Sequence, residues 1–523
     1  MTINELKRRD FFKVMGKGAV SAAAISLPTL ANATPTSPTN LPSDHQTVDS
    51  PLDATEMANL IRDKKASPKE FVQEAIYKIR QTNDHVNAVV SECFDLALER
   101  ANSFNPNSPF AGVPFLVKDC VDVIGLECTL GSKLNQGRKP NATSWFIRAT
   151  QNAGLNTIGM TNIPEMMTLG CTQNSLYGAT RNPWDLSRGV HSSTGGGAAA
   201  IAAGYVPLVH STDGGGSSRM PASATGIFGF KPSRESLISG LTDGSTNEGF
   251  THQSFMSRTV RDAALAVSVT EHHTKNDFET PFPRTPIGMV NASLNRQIKI
   301  GVTLKDIHGR LPDEDTLAAI RSTVSLLESL GHIVIEVEQP IQDGDVFMRN
   351  YMGVFGNKMA SFAEQFDHLG MPLESMPDKV SDNVVYLART MQARLKATPS
   401  LYIDSQQRCR NFAINHNREF FKNIDIWLTP CANHVPLDIE YFDQKAHSGK
   451  EIWARSEKLM SYTPIENVAG NPAMSVPLYW NKQNLPVGSH FSAARGNDRL
   501  LFELAYQLEH AKPWANRKAP IAL

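Results

Sequence analysis

Residues 189–232 read GVHSSTGGGAAAIAAGYVPLVHSTDGGGSSRMPASATGIFGFKP, and the class of the chain turns on them. Two loops rich in glycine and hydroxyl groups, Ser192-Ser193-Thr194-Gly195-Gly196-Gly197 and Asp213-Gly214-Gly215-Gly216-Ser217-Ser218, flank an alanine-rich helical segment and a strand-like YVPLVHS run. Glycine has no side chain, so such loops turn sharply and present their own N–H groups to a ligand. Hydroxyls embedded there stand where nucleophilic attack on a carbonyl needs them. Flexible linkers are also glycine-rich, but they are not bracketed by an apolar helix and a strand. A catalytic site is the stronger reading.

Outward from this core, helix-like and strand-like segments alternate. Ser67-Pro68-Lys69-Glu70 reads as a capping box with proline at the first helical position, and Val72, Ile76 and Ile79 follow at helical spacing as a core face. Residues 115–117 (FLV) form a short apolar run, read as a buried strand ending at Lys118-Asp119, and residues 155–160 are a second strand. Downstream, strands are expected at 298–302, 332–337 and 424–429, and helices at 316–330 and 499–510. Residues 274–297 are proline-rich and irregular, whereas 340–420 look helical and carry methionines and aromatics suited to packing or a substrate pocket. The alternation predicts an α/β fold with a substantial sheet.

The 523 residues, 41% hydrophobic and 20% charged, supply ample material for a core, and a formal net charge of -1 creates no field favouring nucleic acid. Six scattered cysteines form no CxxC pair and read as buried thiols. No HExxH occurs, and the adjacent His272-His273 pair reads as surface rather than as metal ligands. Neither GxGxxG nor GxxxxGK[ST] is present, which argues against nucleotide folds of those types.

The N-terminus reads as an address. Lys7-Arg8-Arg9-Asp10-Phe11-Phe12-Lys13, a mildly apolar run and Ala31-Asn32-Ala33 resemble a bacterial twin-arginine signal over residues 1–33. The run is short and contains Gly, Ser, Lys and Pro28, so no permanent membrane anchor is expected. Residues 34–50 read as a flexible tether, leaving 51–523 as the catalytic domain. Export by the twin-arginine machinery implies a periplasmic or secreted protein.

In order, GVPFLVKD, SSTGG and TDGGGSSR resemble the amidase signature family of serine hydrolases, and GMTNIPE, RNPWD, GFKPS, SRTVRD and TPIENVAGNPAMSVPLYW extend the match across nearly the whole mature chain. PLYW near Trp480 and AKPWANRKAP around Trp514 are similar to the 6-aminohexanoate cyclic-dimer hydrolase branch. The resemblance implies the amidase signature fold, a large mixed β-sheet covered by helices on both faces. It also implies Ser217 as nucleophile, Ser193 as bridging serine and Lys118 as base. Backbone N–H groups of Gly214, Gly215, Gly216 and Ser217 would form the oxyanion hole, with Asp213 and Arg219 framing the loop and a cis Ser192–Ser193 peptide.

That chemistry is coherent on its own terms. A serine hydroxyl needs a base within hydrogen-bond reach, and no histidine stands in a triad-like setting in these motifs. A lysine serves only when neutral, which burial promotes. No metal or organic cofactor is called for. The expected activity is hydrolysis of linear or cyclic carboxamides, with a small-molecule amide as partner and a homodimer compatible with it. An amidotransferase-type subunit, or a catalytically weak binding protein on the same scaffold, remain alternatives. Four positions depart from the family's usual pattern: His191 and Ser192 replace glycines, Thr194 replaces a serine, and Ser218 stands where an aliphatic residue is usual.

Overall fold

Ser67 and Glu70 exchange side-chain and backbone hydrogen bonds at the start of the helix Pro68–Val86, so the capping box forms as its sequence requires. Val72, Ile76 and Ile79 lie on that helix's inner face and are buried. The computed structural model describes residues 52–239, 249–272 and 286–522. The signal read over 1–33 and the tether over 34–50 fall outside the described residues. None of the described helices is long and apolar enough to cross a membrane.

The main sheet begins with β1 (Val89–Glu92), β2 (Pro114–Lys118), β3 (Asn156–Thr161), β4 (Leu208–Asp213), β5 (Phe228–Lys231) and β6 (His252–Ser257). The second half of the chain adds β7 (Lys299–Val302), β8 (Ile333–Glu336), β9 (Ile426–Pro430), β10 (Ala473–Trp480) and β11 (Pro486–Ala493). In space the eleven strands run β1-β3-β2-β4-β6-β5-β10-β11-β9-β7-β8. β2 pairs parallel with β3 and β4, and β7 with β8 and β9. The remaining ladders are antiparallel, so the sheet is mixed, as expected. Helices pack over it around two apolar cores, one built on Ile76, Leu116, Ala199 and Val209, the other on Phe347, Met352, Leu387 and Trp427.

Every residue of β2 and β4 is buried, which is why both read as continuous rather than alternating segments. Their parallel pairing at Leu116 and Val209 brings both C-terminal ends to one edge of the sheet. Lys118 and Asp213, far apart in sequence, therefore meet there. The helix Gly195–Ala202 is buried throughout. At Gly196 a Cβ would collide with the backbones of Asn162 and Ala88, so only glycine lets the helix sit this close.

Two surface expectations change. Cys93 and Cys120 are half-buried rather than buried, although all six cysteines are free thiols. His272 is half-buried, its backbone N–H donating to Ser236 O next to the Leu237–Glu271 bridge, while His273 lies outside the described residues. The region 340–420 forms the helices Gly344–Phe355, Asn357–His368, Asp382–Ala397 and Leu401–Glu419.

Candidate active site

Lys118 ends β2 with its side chain wholly buried. The turn after it is held by Asp119, which accepts from Thr129 N (2.8 Å), Thr129 Oγ1 and Gly131 N (3.2 Å). Lys118 Nζ lies 2.7 Å from Ser193 Oγ and 2.7 Å from Thr212 Oγ1, with Thr212 O at 3.4 Å. Burial pushes its pKa down to about 8, while Cys120 and the Asp213 carboxylate pull it partly back. Beneath it, His210 Nδ1 accepts the Lys118 backbone N–H at 3.3 Å, and His210 Nε2 lies 2.7 Å from Gln253 Oε1. Burial takes the His210 pKa down to about 3, so this ring is neutral and Nε2 carries the proton donated to Gln253.

Ser193 is buried just before the helix Gly195–Ala202, and the Ser192–Ser193 peptide is cis. Asp213 organises the second loop. Its Oδ1 accepts from Gly216 N at 2.8 Å and its Oδ2 from Ser218 N at 3.1 Å. Arg219 closes on it bidentately, Nε to Oδ2 at 2.9 Å and Nη2 to Oδ1 at 2.8 Å, both side chains fully buried. Burial alone would raise the Asp213 pKa, but the Arg219 guanidinium holds it well below the usual carboxylate range. Arg219 also reaches Thr463 O, His490 Nε2 and Asn467 Oδ1.

These bonds narrow the set of four expected oxyanion donors. Gly216 N–H is spent on Asp213, so it does not face a substrate. The N–H groups of Gly214, Gly215 and Ser217 have no acceptor among the described residues. Their carbonyls are anchored instead: Tyr351 Oη donates to Gly214 O at 2.9 Å and Thr463 Oγ1 to Gly215 O at 2.6 Å. Gly216 adopts a φ of 126°, which a side chain would not tolerate beside Thr463.

Ser193 and Ser217 open onto one cavity of about 190 Å³, together with Thr212, Gly214 and Gly215. Its walls come from Met166 and Met167 on one side and from residues such as Tyr351, Met352 and Phe355 on the other. Lys118 thus touches Ser193, and Ser193 shares the cavity with Ser217. No direct Ser193–Ser217 hydrogen bond is present among the described residues.

Of the four departures noted from the sequence, only Ser192 lines the cavity. Ser218 turns inward and its Oγ donates to Ser211 Oγ at 2.8 Å. His191 is buried away from the cavity, and burial, with His434 adding to it, lowers its pKa to about 4. Sequence reasoning missed Thr212, His210, Tyr351, Thr463 and Asn467. Thr212 carried a signal, since it immediately precedes the glycine loop. The others act from remote segments.

A family model described as Amidase matches residues 70–502. The 6-aminohexanoate-cyclic-dimer hydrolase of Pseudomonas sp. strain NK87 is 30% identical over 483 residues, covering 89% of this chain and 96% of that enzyme. A solved structure of 6-aminohexanoate cyclic dimer hydrolase complexed with substrate superposes with a TM-score of 0.83 at 28% identity, covering 91% of this chain and 100% of that one. A bacterial aryl acylamidase of the amidase signature enzymes follows with a TM-score of 0.78 and 25% identity, over 89% and 97% of the two chains.

Proposed function

The chain belongs to the amidase signature family and is a hydrolase of carbon–nitrogen bonds, and from that premise we propose that it cleaves carboxamides through an acyl-enzyme on Ser217. The observation that carries the mechanism is the buried Lys118, with Nζ 2.7 Å from Ser193 Oγ and a pKa lowered to about 8. A neutral amine has two hydrogens for Thr212 and one lone pair for the Ser193 hydroxyl. Lys118 takes the Ser193 proton as Ser193 takes that of Ser217. Ser217 Oγ then attacks the amide carbon, and N–H groups of Gly214, Gly215 and Ser217 stabilise the oxyanion. Ser193 returns the proton to the departing nitrogen, because an unprotonated amide anion is too poor a leaving group. Water cleaves the ester by the same relay. Ser217→Ala tests this directly: amide turnover should vanish and a fluorophosphonate probe should no longer label the protein. Turnover surviving that change would refute the nucleophile.

The reading of residues 1–33 adds an export route to the periplasm or beyond, supported by the adjacent Arg8 and Arg9. Replacing both by lysine should leave the full-length chain in the cytoplasm. Unchanged export of that variant would remove the twin-arginine assignment.

A further inference from the structure

Met166 and Met167 occupy an unusual stretch of backbone. Their φ angles are 49° and 60°, left-handed values for two successive residues that are not glycine. Such a pair is costly and persists only where neighbours enforce it. Here the buried Glu165 anchors the turn, accepting from Ser132 Oγ at 2.5 Å and from Ser381 N at 3.0 Å, as well as from Ser381 Oγ. Met166 N donates to Leu130 O at 2.8 Å. The conformation sets both methionines into the lining of the cavity that holds Ser193 and Ser217. Across it stand Met352, Phe355, Met359 and Leu387.

The described lining contains no carboxylate, and its charged side chain, Lys358, is exposed to solvent. A cavity of about 190 Å³, far above the roughly 10–15 Å³ that admits a single water, has room for a hydrocarbon guest of several heavy atoms. Unbranched, polarizable methionines conform to a hydrocarbon guest without a fixed shape. In an acyl-enzyme the amine must leave before water attacks, so the amine belongs on the solvent side. The acyl group stays with Ser217 in the enclosed part.

We propose that the substrate is the amide of an uncharged, apolar carboxylic acid with a hydrocarbon chain of several carbons, and that Met166 and Met167 set this preference. The proposal rests on Ser217 as nucleophile. Its test compares 4-nitroanilides of acetic, hexanoic and adipic acids, the last a mono-anilide with a free carboxylate, on wild type and on the M166Q/M167Q variant. Glutamine keeps the unbranched shape and the same backbone cost while making the wall polar.

Each buried methylene is worth about fourfold, so kcat/KM for hexanoyl should exceed that for acetyl by on the order of a hundredfold. Adipoyl should fall well below hexanoyl, and the double variant should shrink the hexanoyl-to-acetyl ratio about tenfold. Should the double variant not fold, M167Q alone serves the same comparison. A flat chain-length series, a preference for adipoyl, or a ratio untouched by the substitutions overturns the proposal and leaves the nucleophile intact. Absence of turnover on every anilide, with no covalent labelling of Ser217, overturns the underlying reading as well.

Discussion

Lys118→Met should cut activity by orders of magnitude and, at neutral pH, make the protein more stable. Burial lowers the pKa of Lys118 from 10.5 to about 8. At about 1.4 kcal/mol per pH unit, that difference costs the fold about 3 kcal/mol at pH 7. The sign follows from proton counting. Between pH 8 and 10.5 the unfolded chain binds more protons at this residue than the folded one, so wild-type stability rises with pH there. Below about 8 the penalty is fully present, and by pH 10 only about 1 kcal/mol of it is left. Methionine fills a similar volume without charge but gives up the bonds to Ser193 and Thr212, a loss of about 1 kcal/mol at every pH. The variant should therefore lead wild type by about 2 kcal/mol at pH 7 and draw level near pH 10. Urea denaturation of both proteins at the two pH values measures the difference, and the comparison cancels all other titrating groups. A variant less stable than wild type at pH 7, or a lead that does not shrink on raising the pH, would mean that the site does not lower the pKa of the lysine. Such a lysine could not rest as the free base. Amidase activity should fall by about 10²–10⁴-fold.

With Lys118 as base, kcat/KM should climb about tenfold per pH unit below about 8 and level off above it; a flat profile through that limb would count against the relay. Arg219→Ala leaves the Asp213 carboxylate buried without its partner and should cost about 3–5 kcal/mol in denaturant titrations, while a loss under 1 kcal/mol would show the loop is framed by other means. Gly215→Ala places a Cβ 2.6 Å from Tyr351 Oη and should cut turnover sharply, since that hydroxyl holds Gly214 O. Adding Tyr351→Phe removes the collision, the next ring atom being 3.5 Å away, so the double variant should recover part of the activity that the single one loses. No recovery would place the damage in the backbone itself.

The stretches that were readable in the sequence are those whose structure is decided locally. The capping box at Ser67 and Glu70, the buried strand ending at Lys118 and the helix after the Ser193 loop depend on residues within a few positions. The glycine and hydroxyl spacing in SSTGG and TDGGGSSR carried the site, because backbone donors and nucleophiles come as contiguous loops. What was not readable depends on sheet order. β2 lies beside β4 only because of a parallel crossover, and that neighbour relation makes Thr212 the second partner of Lys118. Tyr351, Thr463 and Asn467 meet the loop from helices or turns far along the chain, and nothing in their immediate neighbours announces it. Met166 and Met167 were invisible for another reason. A left-handed backbone normally signals itself through glycine, and here it is imposed by the tertiary contacts of Glu165.

The bonding of Asp213 explains why the second loop needs three glycines and not merely flexibility. Asp213 draws in the N–H groups of Gly216 and Ser218, and Arg219 neutralises the charge that this creates. An N–H drawn toward a carboxylate cannot serve an oxyanion, so Asp213 takes alternate donors and leaves Gly214, Gly215 and Ser217 to point elsewhere. Tyr351 holds the carbonyl of Gly214, whose peptide carries the Gly215 N–H, and Thr463 holds the carbonyl of Gly215, whose peptide carries the Gly216 N–H bound to Asp213. The φ of 126° at Gly216 is the turn that makes this alternation possible, and the side chains of Thr251, Tyr351 and Thr463 approach where Cβ atoms at positions 214–216 would sit. The Gly215 N–H is therefore fixed through its own peptide's carbonyl before any substrate arrives. As proposed oxyanion donors, N–H groups held in this way need no reorganisation when charge appears on the carbonyl oxygen.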